Sequence, residues 1–166
     1  MNAAHPANLL ASLYREHAAG VYRFLRGLGA GEGEAEDLVS ESYLRLWASE
    51  GTLRLPTVRA YLMTIARNLY FQGLRRGRRQ SPLDFDVRGP DDPEREWAAR
   101  RDWEEVQRGM AELPETDRAA LAMHALAGMP YAEIAAALGL SEGALKVKVH
   151  RARLKLAARI GRKEGA

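Results

Sequence analysis

The chain has 166 residues, enough for one medium domain or two small ones. Hydrophobic residues make up 46% of it, which excludes disorder throughout, and its abundant Ala, Leu and Arg favour helices. It contains no cysteine, which excludes disulfides and cysteine-ligated metals and fits a reducing compartment. The N-terminus lacks the features of a signal peptide and no apolar run reaches membrane-spanning length. We therefore expect a cytoplasmic protein without membrane insertion.

Charge is distributed unevenly along the chain. Residues 1–80 carry a net charge of +4, residues 81–96 of −4, and residues 97–166 of +3. Two basic segments therefore flank an acidic one. This pattern favours two separate contacts with a polyanion such as nucleic acid.

The first half of the sequence has the apolar periodicity of three helices. Apolar residues recur at helical spacing over 7–28 and 33–49, and a third helix is predicted to begin at Pro56. Leu46 and Trp47 lie on the apolar stripe of the second helix, and we favour core packing over an interface role for both.

Residues 81–96 contain three prolines, a glycine and six acids, with no apolar periodicity. This composition predicts an acidic flexible linker and a domain boundary. The fold class is therefore all-α, with one small helical domain over 7–80 and a second over 97–160.

The second domain is predicted to end in a helix-turn-helix. A short helix over 131–138 meets a turn at Gly139, and Ser141 is a natural N-cap for a second helix over 142–159. In this motif the second helix, the recognition helix, enters the major groove of DNA.

The recognition helix is strongly basic. Eight Lys and Arg residues and no acid lie between Gly143 and Lys163. The alternative to DNA binding is the solvated basic face of an amphipathic helix, but the turn spacing and the N-cap favour DNA. Residues near the helix start are placed to reach base edges and later ones to meet phosphates. The first group is Ser141, Glu142, Lys146 and Lys148, and the second is Arg151, Arg153 and Lys155.

Several motifs resemble the extracytoplasmic-function (ECF) sigma factors of the sigma-70 family. The second half is similar to their region 4 at Glu112-Leu113-Pro114 with Asp117-Arg118, at Tyr131 to Ala135, and at His150 to Arg153. The first half is similar to their region 2 at Ala35 to Val39, Leu44 to Trp47, Ala60 to Leu62 and Ile65 to Asn68. The recognition helix departs from the family, which often has Thr and Ser where this chain has Ala144 and Val147.

The resemblance implies a factor that binds core RNA polymerase and directs initiation at promoter DNA with −10 and −35 elements, the −35 element being bound by region 4. It implies no cofactor and no catalysis by this chain. A regulating anti-sigma factor is also implied, with the apolar faces between the two domains as its binding surface. The implied polymerase contacts are Asp37, Leu38, Glu41 and Arg45, and the implied −10 contacts are Arg54, Arg67, Asn68, Arg75 and Arg76.

Some roles keep alternatives. Asp37 and Glu41 lie one turn apart and can face one partner, although acids early in a helix also complement its dipole. Tyr61 and Tyr70 could stack on bases of melted DNA, and we favour core packing for Tyr61. The acidic linker resembles connectors that enter the polymerase cleft, or it is a solvated tether.

Other functions find less support. The four histidines share no metal-ligand spacing, and no glycine loop suits phosphate binding, so we expect no enzyme. A helix-turn-helix regulator acting without polymerase leaves residues 35–79 without a role. A sigma mimic that sequesters an anti-sigma factor should lack the basic recognition helix.

Overall fold

The computed structural model describes residues 6–49, 57–77 and 93–165. Within these ranges the chain forms helices and turns and no strand, which confirms the all-α prediction. In chain order the helices are α1 (Pro6–Leu28), α2 (Glu32–Ala48), α3 (Val58–Arg75), α4 (Pro93–Ala111), α5 (Glu115–Ala125), α6 (Tyr131–Leu138) and α7 (Glu142–Glu164).

Helices α1 to α3 pack around one apolar core. Phe24 of α1 and Leu62 and Met63 of α3 are fully buried, and burying each such side chain stabilises the fold by about 2 kcal/mol. Tyr43 of α2 donates its hydroxyl to the backbone carbonyl of Leu13 in α1, at 3.0 Å. Burial raises the pKa of Tyr43 to about 12, so this hydroxyl remains a donor at neutral pH.

The turn after α1 requires a glycine. Gly29 has a φ of +117°, which L side chains rarely adopt. A Cβ atom there would also lie 2.8 Å from the hydroxyl of Tyr70 in α3. The predicted helix break is therefore also a point of close packing between the α1–α2 connection and α3.

Helix α3 is capped by Thr57, a residue for which no role was predicted from the sequence. Thr57 is extended, and its hydroxyl accepts a hydrogen bond from the Ala60 backbone N–H at 3.0 Å. This is the geometry of an N-cap. Pro56, where the helix was predicted to begin, lies outside the described residues.

Helix α4 begins four residues earlier than predicted. It starts at Pro93 instead of Trp97, and proline suits the first position of a helix because its missing N–H would be unpaired there anyway. The last four residues of the predicted linker, 93–96, are therefore helical, while 81–92 lie outside the described residues.

The helix-turn-helix forms as predicted from α6 and α7. Gly139 has a φ of +65° at the turn, and the Ser141 hydroxyl accepts a hydrogen bond from the Ala144 N–H at 3.1 Å. Leu145 and Val149 of α7 are fully buried. The recognition helix is thus held through its N-cap and its inner face.

The two halves of the chain pack against each other in one continuous core. Helix α1 contacts α4 and α5, and α3 contacts α5 and α6. This packing places the helix-turn-helix directly beside α3. No described helix combines the length and apolar character needed to cross a lipid bilayer.

Candidate nucleic-acid and polymerase interfaces

The outward side of α7 carries an apolar strip between two rows of cations. Leu145 and Val149 face the core, whereas Val147 and Leu154 on the opposite side are 49% and 57% exposed. At 3.6 residues per turn the predicted cations fall on either side of this strip. Lys146 and Arg153 form one row, and Lys148, Arg151 and Lys155 form the other.

Two of the predicted base-reading lysines already have acidic partners. The Lys146 ammonium lies 3.7 Å from the Glu142 carboxylate and 5.8 Å from the centre of the Tyr131 ring. The Lys148 ammonium donates to Asp117 of α5 at 3.2 Å and is only partly exposed. Contact of either lysine with DNA requires exchanging that carboxylate for a phosphate or a base. Arg151, Arg153 and Lys155 are exposed.

Val147 gains a candidate role from its position. It lies five residues into α7 and is half exposed. An apolar side chain in the major groove can contact the methyl group of thymine. From its sequence Val147 was only a departure from the family pattern, and its place on the outward face of the helix is the signal that could have identified it.

The predicted −10 contacts on α3 do not share one face. Asn68 and Arg75 are seven residues apart and lie on the same side, whereas Arg67 and Arg76 are half a turn apart. Arg75 donates to Glu115 of α5 at 3.1 and 3.2 Å. Arg54 lies outside the described residues. Asn68, Arg75 and the C-cap residue Arg76 are exposed, whereas Arg67 is partly buried.

The two tyrosines of α3 differ in how deeply they are buried. Tyr70 is 4% exposed and packs edge-on against Phe71, with ring centres 5.2 Å apart. In this arrangement the ring faces of Tyr70 have no access to a base, and a stacking role for Tyr70 on melted DNA stays a prediction. Tyr61 is partly buried against the core, as we favoured.

All four predicted polymerase contacts line one groove between α2 and α3. Its volume is about 430 Å³. Glu41 and Arg45 form an ion pair at 3.0 Å within it, so their charges partly cancel, while Asp37 is exposed. The lining combines acidic, basic and apolar side chains, namely Glu34, Asp37, Leu38, Glu41, Arg45, Leu69, Gln72, Gly73 and Arg76.

Trp47 does not pack in the core, and that prediction is wrong. Its neighbour Leu46 is 9% exposed, but Trp47 is 50% exposed. The buried stripe of α2 runs through Val39, Tyr43 and Leu46, and one further residue turns Trp47 about 100° away from it. Trp47 and Leu44, which is 65% exposed, add an apolar surface to α2. The part of the chain that the structure describes brings no three metal-ligating side chains together.

Comparison with known proteins agrees with this architecture. The family model for sigma-70 region 2 matches residues 13–80, and that for sigma-70 region 4 matches residues 103–156. The chain is 32% identical over 150 residues to the ECF RNA polymerase sigma factor SigE of Mycolicibacterium smegmatis, covering 87% of this chain and 58% of that protein. It is 33% identical over 156 residues to the ECF RNA polymerase sigma factor SigL of Mycobacterium tuberculosis, covering 89% of this chain and 86% of that protein.

A solved structure shows the same fold. CnrH, determined in complex with the cytosolic domain of CnrY, superposes with a TM-score of 0.72 at 26% identity, covering 93% of this chain and 89% of CnrH. With both family models matched in order, the chain belongs to the ECF RNA polymerase sigma factors of the sigma-70 family.

Proposed function

We propose that this protein binds core RNA polymerase and directs transcription initiation by contacting promoter DNA at two places. Helix α7 reads the −35 element, and α3 with the loop before it engages the −10 element. The observation that carries the proposal is the exposed basic side of α7, held at a capped helix start by Ser141. Polymerase performs the chemistry, and this chain supplies promoter choice.

The groove between α2 and α3 is the proposed polymerase contact. It gathers Asp37, Leu38, Glu41 and Arg45. The exposed Leu44 and Trp47 lie outside the groove, on the adjoining part of the exposed surface of α2. An exposed tryptophan beside charged residues is typical of binding surfaces, where large aromatic side chains contribute most of the affinity. The proposal assigns this side of α2 to a protein partner and not to DNA.

An anti-sigma factor is the proposed regulator, and its proposed binding site is a groove of the second domain that Gly27 of the first domain borders. The groove has a volume of about 310 Å³ and an almost entirely apolar lining. Apolar grooves of this kind accept the apolar face of an amphipathic helix. Support comes from the complex of CnrH with a second protein. The lining includes Gly27 of α1, Met110 of α4, Leu121 of α5, the α5 C-cap residue Leu126, and Leu156 and Ile160 of α7.

Replacement of two cations of α7 tests the function. We expect Lys146→Ala combined with Arg151→Ala to lower promoter-directed transcription by core polymerase at least tenfold. A lost base contact costs about 1–3 kcal/mol, and a lost phosphate contact weakens binding at every sequence. A matched control is Arg15→Ala with Arg101→Ala, which removes two exposed cations from α1 and α4. Equal activity of the two double variants would show that α7 is not the reading helix.

A polymerase-independent regulator is the rival function. It predicts that the chain alone protects a specific duplex, with an affinity unchanged by core polymerase. The two-point function predicts specific protection only when polymerase is present. Footprinting with and without core polymerase separates the two.

A further inference from the structure

A partly buried ion pair joins the two domains beside the helix-turn-helix. Arg59 of α3 donates through Nε to Glu133 Oε1 at 2.8 Å and through Nη2 to Oε2 at 2.5 Å. The Thr57 hydroxyl donates to Oε1 at 3.0 Å. The Glu133 side chain is only 10% exposed and lies in the first turn of α6. A paired two-point contact of this kind is stronger and more specific than an ordinary surface ion pair.

The rest of the domain interface is built for close approach. Gly27 lies within α1, where glycine is less favourable than alanine. A Cβ atom there would lie 2.2 Å from Leu126 Cδ1 and 3.4 Å from Ala122 Cβ in the second domain. The buried Gln107 of α4 donates to the Arg26 carbonyl of α1 at 2.9 Å. The interface therefore has specific polar contacts and a glycine that permits them.

This closed arrangement is too compact for two-point promoter binding. The −10 and −35 elements are centred about 25 base pairs apart, or about 85 Å along B-form DNA. Helix α3 packs on α6, and α6 packs on α7. Two successive helix contacts place α3 and α7 about 20 Å apart. One molecule cannot span both elements without separating its domains.

We propose that the closed form is an intrinsic resting state of this chain, and that the Arg59–Glu133 ion pair holds it shut until polymerase and promoter separate the domains. That the closed form cannot contact both promoter elements matters only if the proposed function is correct. The ion pair and the closed packing do not depend on that function. An open form frees Arg59 and Thr57 from Glu133, and Arg75 from Glu115. Closure thereby lowers the fraction of chain competent to contact both promoter elements, which lowers its apparent affinity for the promoter in proportion.

The test is the distance between the domains measured without any partner. The chain has no cysteine, so Ser40→Cys on α2 and Ala158→Cys on α7, both exposed positions, can carry a fluorescent pair. We expect Arg59→Glu or Glu133→Arg to raise the long-distance population about tenfold. The double reversal, Arg59→Glu with Glu133→Arg, should restore the short distance because it recreates the pair in the opposite sense.

The matched control is Glu115→Arg. Its partner Arg75 also lies in the other domain, but both side chains are about half exposed, at 45% and 59%, where ion pairs contribute little. It should leave the distance distribution unchanged. Gly27→Leu is a second opening variant, because it favours the helix while pushing against Leu126. Circular dichroism checks that each variant is folded.

Unchanged distances in both single reversals, or failure of the double reversal to restore closure, would overturn the proposal. If a charge reversal prevents folding, the interdomain distance in the Gly27→Leu variant becomes the test. A short distance in that variant, unchanged from wild type, would overturn the proposal. These measurements use neither polymerase nor DNA. A chain that opens as expected but directs no transcription therefore keeps this proposal and contradicts the proposed function.

Discussion

Glu133 is held between a guanidinium and a hydroxyl from the other domain. The hydrogen bond from Arg59 is the main cause that lowers the pKa of Glu133, with smaller contributions from the Thr57 hydroxyl and the nearby His17. Burial acts in the opposite direction. The same hydrogen bond raises the pKa of Arg59, so both partners stay charged at neutral pH.

The lowered pKa makes closure sensitive to acid. The carboxylate's contribution is fully present above the pKa of glutamate in an open chain, about 4.3. It is lost as the pH falls through the lower pKa of the closed form. We expect the wild-type domains to separate as the pH falls below about 4.3. Glu133→Gln has no carboxyl group to titrate at this position and should lack this step. Interdomain distance measured across the titration checks it, and an identical acid step in the variant would contradict it.

Single residues show which kinds of role can be predicted from sequence. Ser141 was predicted as an N-cap and is one, because a cap depends on residues within one turn of it. Lys148 was predicted to read bases, yet its closest partner is Asp117, 31 residues away. Arg59 and Glu133 are 74 residues apart and were not singled out. Helical spacing contains no information about contacts at that range.

At the scale of elements, helix bounds follow from sequence where capping residues are nearby. Helix α6 has the predicted bounds, and α7 begins as predicted after Ser141. The start of α4 was misplaced because Pro93 lies in an acidic, proline-rich stretch that resembles a linker. In α2, Leu46 is buried as predicted, but the next residue, Trp47, was also predicted to be buried and is half exposed.

The two sides of α2 should respond differently to truncation. Trp47→Ala should change the free energy of unfolding by less than about 0.5 kcal/mol, as expected for an exposed side chain. It should weaken binding to core polymerase at least tenfold if α2 is the polymerase contact. Urea unfolding and polymerase titration measure the two effects.

The neighbouring residue supplies the control for α2. Leu46→Ala should cost about 2–5 kcal/mol of stability, because it leaves a cavity in the core. Any loss of polymerase binding by that variant should disappear under conditions where it is fully folded. Equal polymerase affinity of Trp47→Ala and wild type would exclude this side of α2 as the contact.

At the scale of the whole molecule, the sequence predicted two helical domains and their order, and the family models match both. It did not predict how the domains pack on each other. That arrangement depends on long-range contacts such as Arg23 Nε to the Leu126 carbonyl, at 3.0 Å across 103 residues. The outward side of the recognition helix is already exposed in the closed form. The resting and promoter-bound forms therefore differ in the distance between the two domains and not in the burial of α7.

Transcription from a library of genomic fragments by core polymerase tests the central claim most directly. With this protein added, we expect initiation at a small set of discrete start sites, each preceded by shared sequences near −10 and −35. Core polymerase alone should produce none of these starts. A transcript profile identical with and without the protein would contradict its role as a promoter-directing factor.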